Sequence, residues 1–430
     1  MVEPMPKDTA QPDSVPAMIA VPGRRAHPLF GSKPGLVGIG FLVLMFGLCL
    51  GTLPWTLGTT ADGVARYDAG DPKSGRLPPS WWAYDEQDIE RSFDAVDPAA
   101  IHEIAASHGM SDDAVRELRN GAVAHEVSAY WPRFLLGSDM LGRSLGVRIL
   151  TGGGISLGIG IAAACISVGI GTIYGAISAY MGGAVDSIMM RVVDVLYGLP
   201  YILLVVLLAV ASSAQVDEYI SRSKAKESYV LRQTVALLES EGGTDVTKGQ
   251  AKGYLEDHSE VHDRLMLDAI QKYPAREVST TVRGFLDVAT LLIAIGGVSW
   301  LTMARVIRGQ VLSLKNQQFV EAARAVGAPG RRVFVRHLLP NLIGPIVVYA
   351  TLAVPQAILQ ESFLSFLGIG VKPPLPSWGN LAAEGLSEMN SYRSHWWLLF
   401  FPCLLLGMTL LAMNFVGEGL REAFDPKRSR

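Results

Sequence analysis

The sequence predicts an all-α membrane protein built on six transmembrane helices. Three observations lead there. First, 49% of its 430 residues are hydrophobic and only 18% are charged. The apolar residues gather in blocks of the roughly 18 or more that a bilayer-spanning helix needs. Second, two long polar segments, 58–134 and 213–283, separate those blocks and are too charged to cross a membrane. Third, the short connection 308–340 holds Arg308, Lys315, Arg324, Arg331, Arg332 and Arg336 against Glu321 alone. That is the cationic bias of a cytoplasmic loop.

A polar tail, 1–34, precedes the first span at Gly35–Leu57. The span is too long for the apolar core of a secretory signal and no small-residue cleavage site is evident, so it reads as a retained anchor. Residues 58–134 carry fourteen acids and seven bases. They read as an external segment with local helix, as at Ser111–Asn120. Residues 135–153 place Leu141, Leu145 and Ile149 on one helical face, away from Arg143 and Arg148, with Asp139 as a cap. This predicts an amphipathic helix on the outer interface, closing the external segment 58–151. The core, 152–417, begins there. Its second span, Gly153–Ala179, has GxxxG spacings at Gly154/Gly158 and Gly171/Gly175, which let helices approach closely in lipid.

The third span is placed at Val192–Ala211. The segment 213–283, with twelve acids and ten bases, is a second external elaboration, helical around Glu256–Gln271. The fourth span runs Leu286–Ile307 and the fifth Leu342–Leu367. In the fifth, Pro345 falls in the first turn, where a proline costs little, and Pro355 is expected to kink the helix. Gln356, Gln360 and Glu361 follow, with Glu361 near the outer boundary. Ionisable groups at that depth face protein or a water-filled path, which makes these three candidate pathway or gate residues. The stretch 368–385, with its prolines and Trp378, reads as a rigid external loop. Trp396–Val416 is the sixth span, and 418–430 is a tail. Six spans put both termini on the cytoplasmic side with the 308–340 loop. Arg24, Arg25 and Lys33 at one end and Lys427, Arg428 and Arg430 at the other agree.

Several function classes drop out. Cys49, Cys165 and Cys403 each lie inside an apolar block and read as small buried hydrophobes, not as a disulfide or metal ligands. CxxC, HExxH and GxxxxGK[ST] do not occur, so no metal, cofactor or ATP site is expected on this chain. A net charge of −3 leaves no footprint for nucleic acid. The spans hold almost no ionisable residues, which argues against an intramembrane enzyme. They show no convincing repeat, which argues against a secondary transporter.

The most particular stretch is EAARAVGAPGRRVFVRHLLPN, 321–341. Residues 317–326 suit one short helix, and Gly327 suits a left-handed stop. Pro329 suits the start of a second helix at 330–338, Pro340 its end, and Asn341 a cap for the fifth span. Ala322, Ala323 and Ala325 give the first helix a nearly bare face, which fits a groove of another protein at close range. Its arginines suit acidic partners or lipid head groups.

This segment resembles the EAA motif of ABC importer permeases, through Glu321-Ala322-Ala323, Gly327 and Leu338-Leu339-Pro340. GSDMLGRSLGVRILTGGGISLGIG, SWLTMARVIRGQVLSLKNQQFVEAARAVGA, ESFLSFLGIGVKPPLPSWGNL and NFVGEGLREAFDP look like the peptide/nickel, DppC/OppC-type branch. Together these cover spans two to six almost continuously and in the expected order. The resemblance implies a MetI-like core of five helices behind one N-terminal span, in a bacterial cytoplasmic membrane. It implies a second permease subunit, two cytoplasmic ABC ATPases, an extracytoplasmic substrate-binding protein and a di- or oligopeptide cargo. Nickel chelates, glutathione or oligosaccharides are the alternative cargoes. It implies that Glu321, Ala322, Ala323, Arg324, Gly327 and Pro340 form the loop that docks on an ATPase, so that ATP hydrolysis belongs to partners. Ser144 departs from the family's usual Asp after Gly-Arg, and 213–283 looks like an insertion about which the resemblance implies nothing.

Overall fold

The computed structural model describes residues 33–118, 121–240, 246–276, 278, 280–390 and 393–424. The basic clusters at Arg24/Arg25 and at Lys427, Arg428 and Arg430 lie outside these residues, as do the last two positions of the predicted Ser111–Asn120 helix. Every regular element among them is helical, and extended pairing is limited to isolated bridges such as Gly70 with Arg143.

The first helix, α1 (Lys33–Thr56), is a span. Four short helices follow: α2 (Glu86–Asp94), α3 (Pro98–His108), α4 (Asp112–Glu117) and α5 (Ala122–Ala129). Local chemistry starts them. Asp85 and Asp88 exchange side-chain and backbone hydrogen bonds at the head of α2, Asp97 and Pro98 open α3, and Ser111 caps α4. Their apolar faces meet in a small separate core around Phe93, Ile101, Ile104, Val115 and Val127, under Trp131. The polar segment is therefore packed, not loose.

The predicted amphipathic helix at 135–153 is replaced by two things. Residues 137–144 form a tight turn, with Gly137 and Gly142 both at positive φ. Then α6 (Leu145–Met181) runs unbroken for 37 residues. Arg148, expected on a wet face, is 1% exposed. The reason is charge pairing rather than amphipathicity, described below. At 1.5 Å per residue α6 is about 55 Å long, well beyond the ~30 Å hydrocarbon layer. It is the central helix, touching α1 and three later spans.

A surface helix, α7 (Gly183–Tyr197), precedes the third span, α8 (Tyr201–Ser221). The predicted start at Val192 falls inside α7, because Gly198 and Pro200 break the chain between the two. The second polar segment holds α9 (Ser223–Ser240), α10 (Lys248–Asp257) and α11 (Ser259–Lys272), joined through Tyr229, Val230 and Ala269. The predicted Glu256–Gln271 helix is thus divided at His258. The fourth span, α12 (Thr280–Lys315), continues past its predicted end.

Next come α13 (Gln318–Ala325) and α14 (Gly330–Val333). A π-turn at Phe334–Leu338 carries α14 into α15 (Leu339–Phe366), so residues 330–366 make one continuous span. Pro340 therefore does not end a helix. It sits at the head of α15, where its missing N–H costs little. Asn341 does not cap α15, since its side chain donates to the carbonyl of His337. Pro345, like Pro355, is interior. The 368–385 loop contains a helix, α16 (Trp378–Ser387), opened by reciprocal hydrogen bonds between Ser377 and Asn380, with Trp378 fully buried. The sixth span is α17 (Trp396–Phe424). Cys49 is buried as expected, but Cys165 and Cys403 are exposed.

One end of the bundle carries α13 and α14 and is here the basic end. The other carries both polar segments and α16 and is the insertion end. Close approach in the middle depends on glycine. A Cβ on Gly175 would overlap the Ala304 carbonyl, and one on Gly171 would overlap Met303, so this GxxxG pair fixes α6 against α12. The first pair is used differently: Gly154 faces Leu53 of α1, while Gly158 has nothing near it.

Candidate coupling element and pathway wall

The helix α13 leans on the body by one apolar anchor. Val320 is fully buried and joins Val333, Leu338 and Leu342 against Ala176 and Ala179 of α6 and Ile307 and Val311 of α12. Glu321, Ala322 and Arg324 are exposed and Ala323 is half-buried. Gly327, at φ 81°, turns the chain, and Ala328 N–H reaches back to the Ala323 carbonyl at 3.0 Å. A β-carbon would strain that conformation. Val326 stands 89% exposed beside it. Pro340 is exposed at the head of α15. The structure therefore gathers Glu321, Ala322, Arg324 and Gly327 on one projecting corner, while Pro340 belongs to α15.

The corner rests on a braced platform. Lys315 Nζ donates to the Ala179 and Tyr180 carbonyls at 3.0 and 3.2 Å, capping the end of α6. Arg308 of α12 grips Asp186 of α7 through two hydrogen bonds of 2.6 Å. That guanidinium holds the Asp186 carboxyl below the usual carboxylate range. Tyr180 and Phe334 meet edge to face at 5.3 Å. Movement of the α13 corner relative to α6 and α12 would have to pass through these contacts.

Deeper in the bundle the three candidate pathway residues separate. Gln356 is exposed and Gln360 is half-buried on the same face of α15, one turn apart. Tyr201 Oη of α8 donates to Gln360 Oε1 at 2.8 Å and lies 2.8 Å from Ser299 Oγ of α12. Glu361 points elsewhere and is fully buried. Ser365 Oγ donates to it at 2.7 Å, and Ser156, Ser362 and Ser377 supply further hydroxyls. Glu361 thus ties α15 to α6 and to the head of α16.

Sequence reading missed the ionic cluster at the insertion end. Arg148 donates to Asp139 at 2.7 Å and to Glu384 at 2.5 and 3.0 Å. Arg143 bridges Asp139 and Asp68, each at 2.7 Å. Arg76 holds Glu388 at 2.7 and 3.0 Å. The signal was present in the unusual density of Asp139, Arg143 and Arg148 beside an apolar block. Their partners lie up to 236 residues away, where no local pattern reaches.

The comparisons now fit this geometry. A family model described as the binding-protein-dependent transport system inner membrane component matches residues 167–430. The chain belongs to this family. The matched region takes in α8, α12, the α13 corner and the last two spans. It is 39% identical over 291 residues to the oligopeptide transport system permease protein OppC of Haemophilus influenzae, covering 68% of this chain and 70% of that one. To the dipeptide transport system permease protein DppC of Bacillus subtilis it is 37% identical over 294 residues, covering 68% and 69%. To OppC of Escherichia coli K12 it is 38% identical, covering 68% and 72%. The protein is a membrane-embedded transport component that works with other transporter subunits, not an enzyme.

Proposed function

We propose that this chain forms half of the translocation pathway of an ATP-driven importer of di- and oligopeptides. Its partners are a second permease subunit, two cytoplasmic ABC ATPases and an extracytoplasmic substrate-binding protein. The basic end and both termini face the cytoplasm of a bacterial cell, which places the two polar segments outside. The observation that carries this reading is the α13 corner, where Glu321, Ala322, Arg324 and Gly327 project from a body braced behind them. A short helix with small side chains exposed is shaped to enter a groove. Closure of an ATPase pair against it transmits motion through Tyr180, Lys315 and the continuous 330–366 helix. A two-state element biased by nucleotide is what such coupling requires. The permease relatives, named for oligopeptide and dipeptide transport, support the cargo. Gln356 and Gln360 line the path, and Glu361 holds the frame.

The test is co-purification and uptake. Wild type and Glu321→Lys are expressed with neighbouring subunits. Retained ATPase and ATP-driven uptake of labelled di- to pentapeptides into vesicles holding the binding protein are compared. Wild type is expected to do both, and the variant to lose ATPase or coupling while remaining folded. A wild-type chain that never recruits an ATPase would end the proposal.

A further inference from the structure

The surface of this chain is two-faced within the membrane. On α8, Ile202, Leu203 and Leu207 are 57–61% exposed, and on α12 Ile293 is 59% exposed. Apolar side chains exposed on a span suit lipid. Elsewhere on α12, Ser299, Thr302 and Arg305 fall within about 60° of one line at 3.6 residues per turn, with Thr302 exposed. Ile293 is on the far side of the helix from Thr302. Exposed Gln356 of α15 adjoins this line through Gln360, Tyr201 and Ser299. Nearer the basic end, Arg305 donates to Asp194 at 2.8 Å and its guanidinium lies 4.0 Å over the Tyr197 ring. Both charged groups stay open, at 37% and 59% side-chain exposure.

A polar strip of this kind does not face hydrocarbon, because each unpaired donor or charge there costs several kcal/mol. We propose that Ser299, Thr302 and Arg305 of α12 extend the Gln356–Gln360 wall, that this strip is water-filled, and that the Asp194–Arg305 pair stands at its mouth. This rests on the transport reading above. An exposed ion pair is held by little, so each member is free to exchange its partner for an ammonium or carboxylate of the solute. Tyr201, bridging α8, α12 and α15, closes the strip from behind.

The test reads water directly. In a background carrying Cys49→Ser, Cys165→Ser and Cys403→Ser, single cysteines are introduced as Thr302→Cys, Gln356→Cys, Ile293→Cys and Leu203→Cys. All four sites are exposed on this chain, so each substitution disturbs little packing. The assembled transporter in vesicles is labelled with a charged thiosulfonate, which reacts with thiolate and so with wetted thiols. Thr302→Cys and Gln356→Cys are expected to react at least about tenfold faster than the other two. Equal rates at all four, or no reaction at the two strip positions, would overturn the wall in favour of a dry contact. The readout does not depend on cargo. Fast labelling at the strip with failed peptide uptake would keep the wall and discard the peptide assignment.

Discussion

The two ends of the bundle are built by opposite rules. At the insertion end, Asp139 and Arg148 lock onto Glu384, 236 residues beyond Arg148, and Arg148 is 1% exposed. Glu361, deep among serine hydroxyls, adds a second lock under Trp378. At the basic end, α13 is held by Val320, while Glu321, Ala322, Arg324 and Val326 project. A network of desolvated charges tolerates no shift, since any displacement leaves a charge unpaired. An apolar anchor tolerates sliding. The contrast separates a frame from a part that docks and moves.

The largest effect should come from breaking the frame. Arg148→Met removes one of the two cations that hold Asp139, which has 5% side-chain exposure, and leaves it Arg143 alone. Loss of one partner of a buried pair costs about 3–5 kcal/mol. Glu384 is 36% exposed and stays hydrated, so the lower end applies. Thermal unfolding in detergent checks this, and Arg148→Met/Asp139→Asn should recover part of the loss. The next effect lies inside one helix, α6. Gly175→Leu drives a side chain into the Ala304 carbonyl and should cost about 1–3 kcal/mol. Gly158→Ala meets nothing within 4 Å, and should gain up to about 1 kcal/mol through helix propensity. If both glycines behave alike, the α6–α12 contact is not set by close approach.

The same contrast explains what the sequence made legible. Six spans, the α13 turn at Gly327 and the ordering of the basic loop all follow from local signals: apolar length, a glycine and a charge count. The amphipathic reading of 135–153 failed because Arg148 was scored by periodicity, while its partner Glu384 lies beyond any window. The apolar run from Val192 belongs to two helices, because Gly198 and Pro200 divide α7 from α8. Pro340 reads locally as a stop, but it stands in the first turn of α15, directly after the π-turn. Gln356 and Gln360 were picked for polarity alone. Thr302 and Arg305 complete their strip, but neither stood out until α12 and α15 were placed side by side.

A pH-dependent difference should appear at the insertion end as well. His395 is 4% exposed and its ring lies 3.4 Å from Glu388 and near Arg76, Arg393 and Trp397. Burial pushes its pKa below the ordinary value, with Glu388 opposing and the arginines assisting. The folded state therefore binds fewer protons than the unfolded state. Stability is complete above the unfolded histidine value near 6.5 and falls as pH drops below it, by at most about 1.4 kcal/mol per pH unit. Melting temperature measured between pH 7.5 and 5.5 should decline for wild type and stay flatter for His395→Phe. An identical slope in both would place the titration elsewhere.

The smallest effect on stability should be at the moving part. Glu321 and Ala322 touch nothing that the fold needs, and exposed substitutions away from special backbone generally stay within about 0.5 kcal/mol. Glu321→Lys and Ala322→Asp are therefore expected to melt with wild type at neutral pH. If they also lose ATPase association, the corner acts through what it presents and not through how it folds. If Ala322→Asp instead destabilises as much as Arg148→Met, α13 is part of the frame. The division between a locked end and a docking end would then fail at the place where function most depends on it.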